Sequence, residues 1–304
     1  MKFLMARSDG YTPEMLQKLA ALGFELVFLD GGEDRHYDRD FSDIDAVMCY
    51  QFFNYNDIER FTSLKYIHTT SAGLDHMPMD YIRAHGIRLC NAHDVYSVPI
   101  AEFVLCGVLQ LYKRAPFFRR CQAEHVWCKQ QQLQELGGKN VCIIGAGSIG
   151  TETARMFQAM GCVVTGLCRH PAPKRHFDAV VHIDRLDKVL PDADVVISAV
   201  PLTAETRHLL CAERFACMKD GAVFVNISRG PVTDTEALIN ALQSGKLSGA
   251  VIDVTEEEPL PPDSPLWEIE NLILTPHSSF AGEYNPKRLF ELLYADTKEW
   301  VESI

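Results

Sequence analysis

Residues 141–161, VCIIGAGSIGTETARMFQAMG, constrain the fold of this chain more than any other stretch. The apolar run VCII leads directly into Gly145, and Gly147 and Gly150 follow at the spacing G-x-G-x-x-G. A stretch of helical periodicity opens inside the glycines and stops at Gly161, before the next apolar run, CVVTGL. Strand, tight turn and helix in that order predict one half of a parallel β-α-β unit. Two such glycines let the backbone turn sharply and approach a phosphate. The third lets helix and strand pack closely, and the helix N-terminus points amide donors at an anion. Gly145, Gly147, Ser148, Ile149 and Gly150 are therefore candidates to hold the pyrophosphate of a dinucleotide. A glycine-rich turn without a ligand is the plainer reading of the same pattern.

The rest of the chain repeats the alternation. MKFLMA, ELVFLD, DAVMCY, KYIHTT and GIRLCN read as five strands in the first 92 residues, separated by helix candidates such as PEMLQKLAAL and PMDYIRAHG. Residues 98–127 carry helical periodicity with one proline, which predicts a long helix or a kinked pair. Six further strands follow, VCIIGA, CVVTGL, DVVISAV, AVFVNIS, GAVID and NLILTP, and the tail from residue 281 reads as an amphipathic helix. The 304 residues suffice for two α/β domains with doubly wound parallel sheets.

The net charge of −12 argues against nucleic acid or an anionic membrane as partner, and requires any anion site to be locally basic. The ten cysteines contain no C-x-x-C pair, and several lie in apolar runs, so they read as buried, reduced thiols. The apolar run before Arg7 is too short for a signal peptide, and no apolar stretch is long enough to span a bilayer. The expectation is a cytoplasmic protein, and the reading includes no metal.

An acidic residue usually follows such a glycine pattern by about 20 positions and accepts a hydrogen bond from a ribose hydroxyl. Here the second strand ends in Cys168, Arg169 and His170. A carboxylate would repel a 2′-phosphate; at ~4 Å and an effective dielectric of ~20, one unit pair is worth about 4 kcal/mol before salt screening. Arginine reverses that sign, and Lys174 and Arg175 add to the field. The cofactor expected is NADP, with NAD possible if Arg169 is only a solvated surface charge.

Three polar residues each follow an apolar run, where ligands of open α/β sheets bind: Arg229 in NISRGPVTD, Glu258 in VTEEEPLPP and His277 in LTPHSSF. Hydride transfer to a 2-keto acid needs a cation for the carboxylate, a proton donor for the carbonyl oxygen and a group that keeps the donor charged. Guanidinium suits the first task, imidazole the second and a neighbouring carboxylate the third. Singly, each has an ordinary explanation as a surface or loop residue, and periodicity does not bring them together in space.

The segments GGKNVCIIGAGSIG, AVPLTAETRHLL, the long run from MKDGAVFVNISRG to EEEPLPPDSPLW, and NLILTPHSSFAG resemble the D-isomer-specific 2-hydroxyacid dehydrogenases, most strongly over residues 138–277. The resemblance implies a catalytic set of Arg229 (N-x-x-R-G), Glu258 (E-P-L) and His277 (T-P-H). It implies substrate contacts from Ser71, Ala72 and Gly73 in TTSAGLDHM, and cofactor contacts from Asp253, Thr203 and Ile227. It further implies a cofactor domain, residues 95–281, inserted into a substrate-binding domain of residues 1–94 plus 282–304, with the active cleft between the lobes and the 98–127 helix supporting a homodimer. Cys168–Arg169 resembles the NADPH-using glyoxylate and hydroxypyruvate reductase branch. The function expected is reduction of a small 2-keto acid to the D-2-hydroxy acid, with Tyr50, Phe52 and Phe53 as pocket or core residues. An NADH-linked enzyme of the phosphoglycerate type is the alternative, weakened because the 69–80 loop offers His76 but no lysine or arginine. A non-catalytic NAD(P)H sensor is the third. The resemblance includes no C-terminal regulatory domain.

Overall fold

The structure, a computed structural model, describes residues 1–7 and 10–304. The chain divides into two compact units, Met1–Tyr96 with Gly282–Ile304, and Ser97–Ala281.

The first unit is built on five parallel strands: β1 (Lys2–Met5), β2 (Glu25–Phe28), β3 (Ala46–Cys49), β4 (Tyr66–Thr69) and β5 (Arg88–Asn91). Their order, β2-β1-β3-β4-β5, is that of a flavodoxin-like sheet. Both faces are buried, which is why KFLM and AVMC read as continuous apolar runs rather than alternating ones. Leu4, Val47 and Ile67 pack with Phe41, Phe52 and Phe61 on one face. Phe3, Met48 and Tyr66 pack with Leu19, Phe290 and Trp300 on the other. Helices α1 (Pro13–Ala20), α2 (Phe52–Tyr55) and α3 (Met79–Ala84) and a C-terminal helix, Asn285–Glu302, cover the sheet. Thr12 caps α1, its hydroxyl accepting from Met15 N at 3.3 Å.

The aromatic residues at 50–53 divide between the two readings. Phe52 is fully buried, with ring contacts to Phe41 at 5.6 Å and Phe61 at 5.9 Å, and Phe53 packs on the same cluster. These two are core residues. Tyr50 stays half-buried, its ring 5.1 Å from His76, on a cavity of about 560 Å³ that Arg7, Glu33 and Gln51 also line.

The second unit has seven parallel strands: β6 (Asn140–Ile144), β7 (Val163–Cys168), β8 (Ala179–His182), β9 (Val195–Ser198), β10 (Ala222–Asn226), β11 (Leu247–Ile252) and β12 (Leu272–Leu274), in the order β12-β11-β10-β9-β6-β7-β8. The strand pattern predicts six; β8 is the addition. It is a four-residue edge strand, AVVH, with no fully buried residue. Around the sheet lie α4 (Ser97–Tyr112), α5 (Ala115–Ala123), α6 (Ser148–Ala159), α7 (Leu186–Val189), α8 (Ala212–Cys217) and α9 (Thr235–Gln243). Residues 97–123 thus form a helix pair, broken where Arg114 adopts φ 53°, and the expected helix stops short of residues 124–127. The sheet order reverses between β6 and β9, so the loops after those strands part and open a crevice at their C-terminal ends.

All ten cysteines are free, but only Cys49, Cys121, Cys142 and Cys162 are buried, while Cys106, Cys128 and Cys217 are exposed. The uniform burial expected of them is therefore incorrect. Among the described residues, no helix is long and apolar enough to cross a membrane, and no three His, Cys, Asp or Glu side chains are grouped to hold a metal ion.

Candidate active site

The glycine turn leaves β6 at the crevice. Gly147 occupies the N-cap of α6 with no side-chain cap, so the first-turn amides of Ser148, Ile149 and Gly150 keep their donor capacity. The first helical bond runs from Thr151 N to Gly147 O at 2.9 Å. A Cβ on Gly150 would stand 1.9 Å from Gly145 O, so helix and turn can approach this closely only with glycine there. A Cβ on Gly147 would meet no heavy atom within 4 Å, which leaves room for a pyrophosphate against the amides. The loop therefore fits the diphosphate of an NAD(P) cofactor. Lys174 adds a cation by donating from Nζ to Ala146 O within the turn, a contact invisible in the sequence.

Arg169 is exposed, one residue beyond the end of β7. Its charge reaches Glu205, whose carboxyl is held below the usual range chiefly by the Thr203 hydroxyl, which donates to Glu205 Oε2 at 2.7 Å. Thr203 lies in the turn after β9, with its amide donating to Thr206 Oγ1 at 2.7 Å. Ile227 is buried just past β10.

Arg229 follows β10 on a turn set by a buried polar network. Asn226, fully buried, accepts from Ser228 N at 3.1 Å and Ser228 Oγ at 2.6 Å. Its amide donates to Arg229 O at 3.2 Å and to Thr233 Oγ1 at 3.1 Å. Gly230 completes the turn: a Cβ there would fall 1.9 Å from Thr255 O, so no larger residue fits. The guanidinium donates from Nη1 to Ser228 O at 2.9 Å.

His277 and Glu258 are brought into direct contact. Nδ1 of the imidazole lies 2.9 Å from Glu258 Oε2, and Thr255 N donates to Glu258 Oε1 at 3.1 Å. With Nδ1–H given to the carboxylate, Nε2 is the nitrogen left for a ligand. His277 sits at φ 50°, a conformation that costs an ordinary residue ~1–3 kcal/mol and persists only where the surroundings impose it. The hydrogen bond to Glu258 raises the imidazole pKa. Burial opposes this, the charges of Glu258 and Asp253 reinforce it, and that of Arg229 works against it. Burial pushes the Glu258 carboxyl up, but the His277 hydrogen bond and charge, with Thr255 N–H and Arg229, bring it below the usual range. Guanidinium, imidazole and carboxylate thus lie within one electrostatic neighbourhood. Asp253, 1% exposed, is tied by its carboxylate to the turn that carries His277.

In the first unit, residues 71–73 follow β4. Ser71 O accepts from Ala92 N at 2.9 Å, and Asn91 Nδ2 donates to Ala72 O at 2.6 Å. These bonds hold two of the loop's carbonyls, and Ser71 N donates to Thr69 Oγ1 at 3.4 Å. Ser71 Oγ lies 3.3 Å from His76 Nε2.

Sequence reasoning missed Asn226, Ser228, Thr275, Ser278, Ser279, Glu205 and the Lys174 contact. Each is a common polar residue whose role depends on what lies across a turn from it.

A sequence model described as "D-isomer specific 2-hydroxyacid dehydrogenase, NAD binding domain" matches residues 105–279. A glyoxylate reductase of Thermofilum pendens is 33% identical over 266 residues, 84% of this chain and 77% of that protein. The crystal structure of a D-isomer specific 2-hydroxyacid dehydrogenase family protein from Aeromonas salmonicida superposes with a TM-score of 0.84 at 29% identity, covering 99% of this chain and 96% of that one. The enzyme of that description from Xanthobacter autotrophicus, in complex with NADPH and MES, gives 0.80 at 28% identity, covering 99% and 95%. The chain belongs to the D-isomer specific 2-hydroxyacid dehydrogenase family and is an NAD(P)-dependent oxidoreductase.

Proposed function

We propose that the chain reduces a small 2-keto acid, glyoxylate or hydroxypyruvate first among them, to the D-2-hydroxy acid, with NADPH preferred. The observation that carries this reading is the 2.9 Å contact between His277 Nδ1 and Glu258 Oε2. It raises the imidazole pKa, which favours the protonated form, and leaves Nε2 to pass a proton to a carbonyl oxygen. Arg229 binds the substrate carboxylate in fork geometry and polarises the adjacent carbonyl. When bound, the reduced nicotinamide supplies the hydride. Gly145, Gly147, Ser148, Ile149 and Gly150 hold the cofactor's pyrophosphate, with Thr203, Ile227 and Asp253 on its walls. Ser71, Ala72 and Gly73, in the substrate-binding unit, contribute amides for an anion. The glyoxylate reductase relative and the NADPH held by the Xanthobacter enzyme support the substrate class and the cofactor.

The preference for NADPH rests on Arg169 with Lys174. Glu205 offsets part of that charge and favours the second reading, an NADH-linked 2-hydroxyacid dehydrogenase. Arg169→Asp is expected to raise KM for NADPH by about 10²-fold, from loss and reversal of one screened ion pair, and to leave NADH use nearly intact. Initial rates with both cofactors check it; a parallel loss would sink the assignment.

The test of the whole reading is a spectrophotometric panel of NADPH and NADH against glyoxylate, hydroxypyruvate, pyruvate and branched 2-keto acids. Glu258→Gln should lower the pH at which reduction fails. His277 must be protonated, so the rate holds below its pKa and falls as pH rises through it. Removing the raising partner moves that fall toward the ordinary histidine value. A pH profile of kcat/KM decides. A homodimer, in the cytoplasm, completes the proposal: Trp127 is 91% exposed beyond α5, apolar surface that a second copy would cover. Light scattering on a sizing column would show a monomer if that part is wrong.

A further inference from the structure

A second histidine–glutamate contact lies on the loop that carries Glu258, and the proposed reaction makes no use of it. Glu256 Oε2 stands 3.1 Å from His208 Nε2. Its other oxygen, Oε1, accepts from Thr235 N at 2.9 Å and from Thr235 Oγ1 at 2.7 Å. Burial pushes the Glu256 carboxyl up, but the Thr235 hydroxyl and amide and the His208 imidazole bring it below the usual range.

Both partners belong to the segment that carries Arg229. Thr235 opens α9. His208 N donates to Pro231 O at 2.8 Å, Leu210 N to Val232 O at 3.0 Å and Asp234 N to Leu210 O at 3.0 Å, so main-chain bonds fix His208 beside residues 231–234. The loop's own backbone meets this segment at Gly230, where a Cβ would stand 1.9 Å from Thr255 O and 2.4 Å from Glu256 N. Within the loop, Thr255 N donates to Glu258 Oε1 at 3.1 Å and Thr255 Oγ1 to Glu257 O at 2.7 Å. A shift at Glu256 is therefore passed on to Glu258.

We propose that Glu256 is a positioning residue for Glu258: its carboxylate clasps the loop to His208 and to the start of α9, and so sets where Glu258 meets His277. The inference rests on the proposed role of His277 as proton donor. Packing on Gly230 stops the loop from moving inward but does not stop it from lifting away, which directional bonds do. Glutamate suits the position because both of its oxygens accept. Glutamine can make the same clasp. Its oxygen accepts from Thr235 and its NH₂ donates to His208 Nε2, with the imidazole proton on Nδ1. Glu256→Ala and Glu256→Gln thus remove the same charge, but only alanine removes the clasp.

The groups that face the His277 imidazole are Glu258, Arg229 and Asp253 by charge, and the Phe280 ring at 6.2 Å. The experiment is an NMR titration of that imidazole, assigned by its loss in His277→Asn, in the wild type, Glu256→Ala, Glu256→Gln and His208→Asn. Asparagine at 208 tolerates the φ of 49° there and is too short to keep the contact. Alongside it, kcat for glyoxylate reduction is followed against pH, and NADPH affinity by fluorescence.

In Glu256→Ala a looser Glu258 contact should lower the imidazole pKa, and the rate should fall at lower pH than in the wild type. Reduction at neutral pH should drop about tenfold, the size of one charge-assisted hydrogen bond at a partly exposed site. His208→Asn, which keeps the Thr235 bonds, should lose about threefold, and Glu256→Gln should stay within about twofold. Equal shifts in Glu256→Ala and Glu256→Gln would mean that the charge acts rather than the clasp. An unmoved titration in Glu256→Ala would leave a surface ion pair, and NADPH affinity falling in step with kcat would move the role to the cofactor loop. Each of these overturns the proposal. If Glu256→Ala fails to fold, His208→Asn against Glu256→Gln decides by the same comparison. Absence of glyoxylate reduction in the wild type would fault the proposed function, while the titrations still report whether Glu256 governs the contact between Glu258 and His277.

Discussion

His277→Ala lowers kcat for 2-keto acid reduction by ~10²–10⁴-fold, the range of a positioned general acid, and leaves NADPH binding within a few-fold. The imidazole is the proton donor in the proposed reaction, and its Nδ1 is committed to Glu258 at 2.9 Å. Removing it therefore removes an interaction made only as the carbonyl oxygen takes on charge. KM should change little, because the carboxylate remains held by Arg229. The position has a left-handed backbone at φ 50°, so His277→Asn is the companion variant: asparagine tolerates that conformation better than alanine. Both should lose activity alike. If asparagine restores the rate that alanine loses, the defect lies in the backbone and His277 is not the acid. Stopped-flow reduction with excess NADPH, beside fluorescence titration of the cofactor, makes the measurement.

Arg229→Gln is expected to cost ~10³-fold in kcat/KM, about 4 kcal/mol, the loss of a charge-paired bidentate contact to the substrate carboxylate. Glutamine keeps much of the length and the polar end, so the turn carried by Asn226 and Gly230 should survive; thermal melting would show it. The effect should divide between KM and kcat, since the guanidinium both binds the carboxylate and faces the carbonyl under attack. A second signature follows from sign. The charge of Arg229 opposes protonation of His277, so its removal should raise the pH at which the remaining activity falls. A variant that loses activity with the profile unmoved would place the guanidinium away from the imidazole and sink its assignment.

What local order could encode was legible in the chain. Strands β1 and β3 of the first unit read as continuous apolar runs because both sheet faces are buried there, and the G-x-G-x-x-G turn predicts its own helix start at Ser148. β8, the four-residue edge strand AVVH, was not picked out from the sequence. Nor were the environments of Phe52 and Phe53, since an apolar ring reads the same in a core as in a pocket.

Arg229, Glu258 and His277 could be named from their motifs, but their approach could not be derived from spacing. Turns after three parallel strands bring them together, and the register Asn226↔Ile252 that aligns two of those turns is a property of the sheet. The polar support is less visible still: the three side-chain bonds of Asp253 span 22 to 26 residues. Sequence by itself determined which chemical groups are available and the local turns that present them. Only the tertiary structure decided their distances, their burial and the sign of their pKa shifts, because hydrogen bonds and charges act through space between residues that the chain holds far apart.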